Sequence, residues 1–384
     1  MESPFIFYRY VTGKHFFGRR EDCRILGNLL SQGEHVVLYE PPKGGKTSLI
    51  QQTLLNIRIT GAQFAVGQFN LMNIRDISTF LLRMGSMVLR TLATTPDEYA
   101  DLVARHLEGT HFVFDGRDYS ENDRPVSLNW TADDNDILAM LRFPWKVARE
   151  RGMPLILILD EFQCLDRTED GDKVFKLFEK ILSEMRGTPK PGCTFLFSGS
   201  MVNAMKDIFD VRRHFYRQVE HLPLRPLDER EIIEYVHKGF MNSGKEVDRT
   251  LLHGVCRLFR NEMGYINHLA ATCDSLSRGY IVEATMTEAL RILLSIHEPR
   301  FLATMDGLTT FQVSLLRAIL DGHTKFSASE VIRTYGLNSS ANVKRLKDAL
   351  MKKEIVTFND KDEPVILDPL FEYWVRKYYF EQTI

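Results

Sequence analysis

Residues 35–54 read HVVLYEPPKGGKTSLIQQTL, a β-branched run, a tight loop and a helical period in that order. A strand that turns through glycines into a helix leaves few folds open. The loop's end fits the phosphate-binding pattern G-x-x-x-x-G-K-[ST] at Gly45, Lys46 and Thr47, while Glu40 stands where the pattern opens on glycine. In such a loop inward-pointing backbone N–H groups and the helix N-terminus behind them solvate phosphates. Lys46 adds a point charge at the β- and γ-phosphates, and the Thr47 hydroxyl is a Mg²⁺ ligand. Gly44 and Gly45 keep the part that must approach phosphate closely, whereas Pro41 and Pro42 stiffen the start. A glutamate facing phosphates would be repelled, so the Glu40 side chain is expected to point away.

A second motif, MPLILILDEF (153–162), is a continuous apolar run ending in two acids. Such a run fits a parallel strand buried on both faces, delivering Asp160 to the sheet edge where open α/β sheets bind ligands. Asp160 is expected to hold Mg²⁺, and Glu161 to orient and deprotonate an attacking water. Helical spacing in RREDCRILGNLLSQG, strand signals at 62–74, 192–200 and 219–227, and helices between them predict a parallel sheet with helices on both sides. Residues 96–136 are acidic and turn-rich and read as a surface loop, or else a docking surface. From residue 228 strand signals cease and four helices follow. The order after Leu308 is helix, helix, turn, helix, hairpin, that of a winged helix-turn-helix. The expected domains are a P-loop nucleoside-triphosphatase core (1–227), a helical domain (228–306) and a winged helix (307–384).

These pieces, FFGRRED, the GKTSLI loop, LILDEFQ, FSGS and DPLFEYWVRKYY in this order, resemble AAA+-related P-loop ATPases, and more closely the archaeal-type ATPase family of the STAND class. The resemblance runs from about Phe16 to Tyr379. It implies an ATP/ADP and Mg²⁺ site in which Pro42, Lys43, Gly44, Gly45, Lys46, Thr47 and Ser48 form the phosphate loop. It also implies that Phe17, Gly18 and Arg19 lie near the adenine, and that Ser198 and Ser200 sense the γ-phosphate, unless they cap the helix that follows. Arg217 is the implied arginine on the phosphates, in cis or in a neighbouring subunit, with Arg212 and Arg213 as competitors. Gly264 falls in the lid motif, where Ile266 replaces an expected proline. ATP is favoured over GTP by this likeness.

The composition, 44% hydrophobic and 26% charged, is that of a globular chain, and a net charge of −2 leaves nucleic-acid binding to a local patch. The third helix of the C-terminal unit, the second of its helix-turn-helix, supplies one candidate patch, with Lys344, Arg345 and Lys347 on a basic side together with Lys352 and Lys353. Duplex DNA, a protein partner or a homo-oligomer are the partners considered. Five scattered cysteines, no apolar leader and no run near the ~18 residues of a membrane span give the expectation of a cytoplasmic protein without membrane contact. The reading is an ATPase whose hydrolysis drives a regulatory switch displayed by the winged helix. A DNA-binding initiator-like ATPase and a non-hydrolysing nucleotide-bound scaffold are its rivals.

Overall fold

The computed structural model describes residues 3–189 and 191–382. They form two compact units, each assembled from separate stretches of chain. One comprises residues 21–40 and 49–224, the other residues up to 20, 41–48 and those from 225 on.

The first unit is built on five parallel strands: β1 (His35–Tyr39), β2 (Ala65–Asn70), β3 (Leu155–Asp160), β4 (Cys193–Gly199) and β5 (Val219–His221). Their order across the sheet is β2-β3-β4-β1-β5. β4 is buried along its whole length and β3 up to Leu159, as expected of central strands with both faces covered. β5 has only three residues, two of them exposed, and stops before Pro223. A proline cannot donate to the ladder, so this edge strand is shorter than the 219–227 read from sequence. Helices α1 (Arg20–Gln32), α2 (Lys46–Ile59), α3 (Ile77–Leu92), α4 (Asp134–Glu150) and α5 (Gly171–Met185) alternate with the strands.

Residues 96–136 are not the irregular loop expected. Helices Pro96–His106 and Gly116–Asn122 and a two-stranded ladder, Phe112–Val113 with Ser127–Leu128, fold there. Thr95 with Glu98, and Asp133 with Asp136, form complete capping boxes, so the acids that suggest a solvated loop instead terminate helices. Tyr99, Leu102, Val103 and Phe112 bury their side chains beneath them.

In the second unit α6 (Glu229–Asn242), α7 (Arg249–Leu258), α8 (Met263–Leu276) and α9 (Glu283–Asp306) precede α10 (Thr310–Leu320), α11 (Ser329–Tyr335) and α12 (Ser340–Lys352). α11 ends on Gly336 at φ 64°, and Ser339 caps α12 by accepting from the Asn342 N–H. An antiparallel wing follows, β6 (Val356–Phe358) with β7 (Pro364–Ile366), then α13 (Pro369–Trp374). Helical region and winged helix share one apolar core, which Phe5 enters by packing 4.7 Å from the Phe240 ring. Among the described residues no helix is long and apolar enough to cross a membrane.

Candidate active site

Asp160 ends β3, and its neighbours fix its carboxylate. The buried Ser198 hydroxyl, on adjacent β4, donates to Oδ1 at 2.5 Å, and the Glu161 N–H donates to the same oxygen at 3.1 Å. The Asn70 amide approaches Oδ2 at 3.4 Å from β2, whose register pairs Asn70 with Asp160. Glu161 has φ 56°, left-handed backbone that costs a non-glycine residue free energy. Phe162, the next residue, is fully buried, 4.6 Å from the Phe197 ring and 5.3 Å from Phe175. That anchoring holds the turn in its strained form. The Glu161 carboxylate then accepts at Oε2 from the Gln163 amide (2.6 Å), the Ser200 hydroxyl (2.8 Å) and the Ser200 N–H (3.3 Å).

Ser198 and Ser200 thus bind the two acids. Neither caps the following helix, whose N-cap is Met201 without a side-chain bond. Asn70 and Gln163 complete the cluster and were not anticipated. Asn70 is legible only once β2 and β3 are known to be neighbours, which sequence does not reveal.

Residues 41–48 belong to the second unit. Gly45 has φ 89° and Lys43 φ 69°, so the loop turns through left-handed backbone on both sides of Gly44. Lys46 is 8% exposed, and its ammonium donates to the Pro41 carbonyl at 3.1 Å, across the loop it belongs to. The Ser48 hydroxyl accepts from the Val11 N–H at 3.1 Å and is tied to the N-terminal segment. Thr47 is half-buried on the first turn of α2. Glu40 lies in the first unit, where its N–H donates to the Gly199 carbonyl at 3.3 Å and extends the β1–β4 ladder. The odd residue thus serves the sheet with its backbone.

The box before the loop lies in the second unit as well. Arg19 donates to the Gly44 carbonyl (3.3 Å) and to the Arg225 carbonyl (3.0 Å), linking it to the loop. Phe17 stacks on Tyr235 at 4.3 Å. Gly18 has φ 61°, which favours glycine, and a Cβ there would meet the end of the Leu227 side chain at 2.6 Å. Gly264 meets the loop too, as a Cβ there would stand 2.5 Å from that of Lys43. Ile266, in place of the expected proline, is 1% exposed and serves the core.

Arg217 goes elsewhere. β5 runs parallel to β1 with Val219 opposite His35, so Arg217 precedes both strands and lies at the edge opposite the one where Asp160 ends. The in-cis reading of Arg217 is therefore set aside. Its guanidinium stands 5.2 Å from the Tyr216 ring in a segment where Arg213, Phe215 and Arg217 all have positive φ. Arg212 pairs with Asp166 and Asp207 and is spent on structure. A separate cluster of His111, Asp133 and Asp136 has metal-like chemistry. Its buried carboxylate, Asp136, accepts from the His111 ring and N–H and from the Asp133 N–H, all at 2.8 Å, so it stabilises the fold locally.

On the winged helix Lys344 and Arg345 are exposed on α12. Lys347 is not available in the same way, since its ammonium binds Asp362 at 2.6 Å and lies 4.1 Å from the Phe358 ring.

Residues 299–377 match a family model described as a probable winged helix domain. No curated protein matches the chain. Among solved structures, a Walker-type ATPase of Pyrococcus abyssi superposes with a TM-score of 0.66 at 16% identity, over 97% of this chain and 99% of that one. The chain shares that protein's fold, a parallel sheet flanked by helices followed by helical and winged-helix regions. The ORC2 protein of Aeropyrum pernix, solved as ADPNP–ADP complexes, shares this fold with a TM-score of 0.55 at 15% identity, over 96% of this chain and 93% of that one. The parallel sheet with flanking helices expected from the strand and helix signals is thereby borne out, as is the C-terminal winged helix, whose family match opens at Pro299 inside α9.

Proposed function

We propose that this chain binds ATP with Mg²⁺ and hydrolyses it, using the cycle to switch the exposure of its winged helix. The observation carrying this reading is the Asp160–Glu161 pair at the end of β3, each acid oriented by a serine of β4 or of the turn after it. Strain at Glu161, maintained by a buried phenylalanine, is the kind of cost that persists where chemistry uses the geometry. Lys46, which bonds a loop carbonyl, would exchange that partner for the β- and γ-phosphates. Thr47 and Asp160 would hold Mg²⁺, whose preference for oxygen ligands suits a hydroxyl and a carboxylate, and the bound ion neutralises phosphate charge. Glu161 accepts the proton of the attacking water as the bond from the γ-phosphorus to the leaving ADP oxygen breaks. Arg217, at the far strand edge, would serve only a nucleotide held by a second copy of the chain.

Phosphate release tests the reading. Wild type should release phosphate from ATP in Mg²⁺, Lys46→Ala should lose nucleotide binding, and Glu161→Gln should keep binding while release falls roughly 10²-fold or more. Retained nucleotide with no release, unaltered by Glu161→Gln, would instead mark a non-hydrolysing scaffold. A second reading, contact with duplex DNA, is favoured by the exposed Lys344 and Arg345 on α12. It expects DNA affinity that drops steeply with salt and weakens in a Lys344→Ala/Arg345→Ala double variant.

A further inference from the structure

Lys43 sits in the middle of the phosphate loop, yet its side chain is engaged with α8. The ammonium lies 4.8 Å from the centre of the Tyr265 ring, an arrangement in which a cation is attracted to the ring's π-face. Behind that ring the Tyr265 hydroxyl donates to the Asp368 carboxylate at 2.9 Å. Arg300 of α9 donates to the Tyr265 oxygen (3.2 Å) and to Asp368 (2.7 Å). Asp368 is the N-cap of α13, where its other oxygen accepts from the Leu370 and Phe371 N–H groups at 3.0 and 3.1 Å. One carboxylate therefore fastens α13, Tyr265 and Arg300 together, and Tyr265 carries the loop's lysine on its face.

The lysine is not held in comfort. Lys43 is exposed as a residue, but partial burial of its ammonium against α8, then the Arg300 charge, lower it below the ordinary lysine range, with Asp368 and Glu262 acting the other way. Two histidines stand nearby, with ring centres 6.0 Å apart. Burial and then the Lys43 charge push both down to about 4, so both are neutral. Their His268 Nδ1 and His297 Nε2 atoms find no partner among the described residues. Asp368 and Glu262 are thus the charges that favour Lys43 where it is, and a polyphosphate arriving at the loop would compete with them.

We propose that Lys43, Tyr265, Arg300 and Asp368 form a relay through which the phosphate loop and the winged helix sense one another. Nucleotide draws Lys43 off Tyr265, and the Tyr265–Asp368–Arg300 knot loosens its hold on α13. The relay rests on the nucleotide-binding reading above. Because coupling between two sites is reciprocal, it is testable from the winged-helix side. Asp368→Asn keeps an N-cap of equal rank but removes the charge that favours Lys43 on Tyr265.

In the full-length chain, Asp368→Asn should tighten Mg-ADPNP roughly 3- to 10-fold in a calorimetric titration, the range of weak coupling. In hydrogen–deuterium exchange, nucleotide should raise exchange at residues 368–374 in wild type. Asp368→Asn should show raised exchange there with or without nucleotide. Tyr265→Phe keeps the ring and loses the hydroxyl, so it should abolish the nucleotide-dependent change in exchange and, by reciprocity, tighten Mg-ADPNP by no more than Asp368→Asn does. It also serves if Asp368→Asn fails to fold. Wild-type affinity and wild-type exchange response in the folded variants overturn the relay alone. No nucleotide binding by wild type overturns the relay and the function together.

Discussion

Two serines were expected to sense a phosphate, and each is bonded to a carboxylate. The distinction changes what their loss should do. Ser198 donates to Asp160 across 2.5 Å from a buried position, so Ser198→Ala leaves the carboxylate without the contact that orients it. Phosphate release should fall roughly 10-fold, with smaller loss than for Glu161→Gln, because hydrogen bonds from the Glu161 N–H and Asn70 remain. A Mg²⁺ titration at saturating ATP checks the cause: the variant should need more Mg²⁺ for half-maximal rate. If the Mg²⁺ dependence is untouched, Ser198 does not act through Asp160. Gly264 poses a steric question. Its missing Cβ would overlap that of Lys43 at 2.5 Å, with the Lys43 carbonyl at 3.1 Å. Neither neighbour is the far end of a flexible chain, so the loop must move. Gly264→Ala should cost about 1–3 kcal/mol in denaturant unfolding and weaken ATP binding, whereas an unshifted affinity would mean the loop does not need this contact.

Among elements, the strands that bear the acids were legible because burial on both faces forces an unbroken apolar run, as in LILIL of β3 and CTFLF of β4. The helix-turn-helix was legible from the order of helical and hairpin signals after Leu308, and its turn is closed by local caps at Gly336 and Ser339. Composition misled at residues 96–136, where acids and prolines suggest irregular chain. TPDE at 95–98 is a capping box, with Thr95 accepting from the Glu98 N–H and Glu98 from the Thr95 N–H, and its spacing was there to be read. Bonds from Thr94 first of all hold the Glu98 carboxyl near 2. The helix stands or falls with this cap more than with its exposed face. Thr95→Ala should therefore lower stability by about 1 kcal/mol while leaving phosphate release at the wild-type rate. A loss of release would tie this insertion to the chemistry. The neighbour relations of strands, which bring Asn70 to Asp160, were beyond reach because pairing order is decided by tertiary packing.

At the scale of the whole chain, three consecutive domains were expected and two interleaved units are found. The second unit takes in residues 41–48 because Gly264, Arg19 and Val11 touch Lys43, Gly44 and Ser48 there. Linear sequence cannot announce such a grouping, since the partners lie far apart along it. Both units bury neutral histidines, and this has a consequence for the stability of the molecule. His35 in the first unit and His268 and His297 in the second are pushed down to about 4, chiefly by burial. The His35 Nδ1 accepts from the Phe195 N–H, which requires the unprotonated nitrogen. Folded values below the unfolded value near 6.5 mean that the unfolded chain takes up protons first as pH drops. The stabilisation is full above about 6.5 and is lost as pH falls through about 4. His111, raised by its hydrogen bond to Asp136, has the opposite sign: it stabilises at low pH and loses that on the alkaline side. Lowered carboxylates such as Glu98 lose their stabilisation as pH falls from the ordinary carboxylate range near 4.5 toward about 2. The window from 6.5 to about 5 therefore belongs to the histidines. The unfolding temperature should drop steadily across it, with His268, the one 8% exposed, contributing on the order of 1–2 kcal/mol by pH 5. Calorimetric scans from pH 7 to 5 decide the matter, for a flat profile would mean that these rings are hydrated and titrate freely in the folded chain.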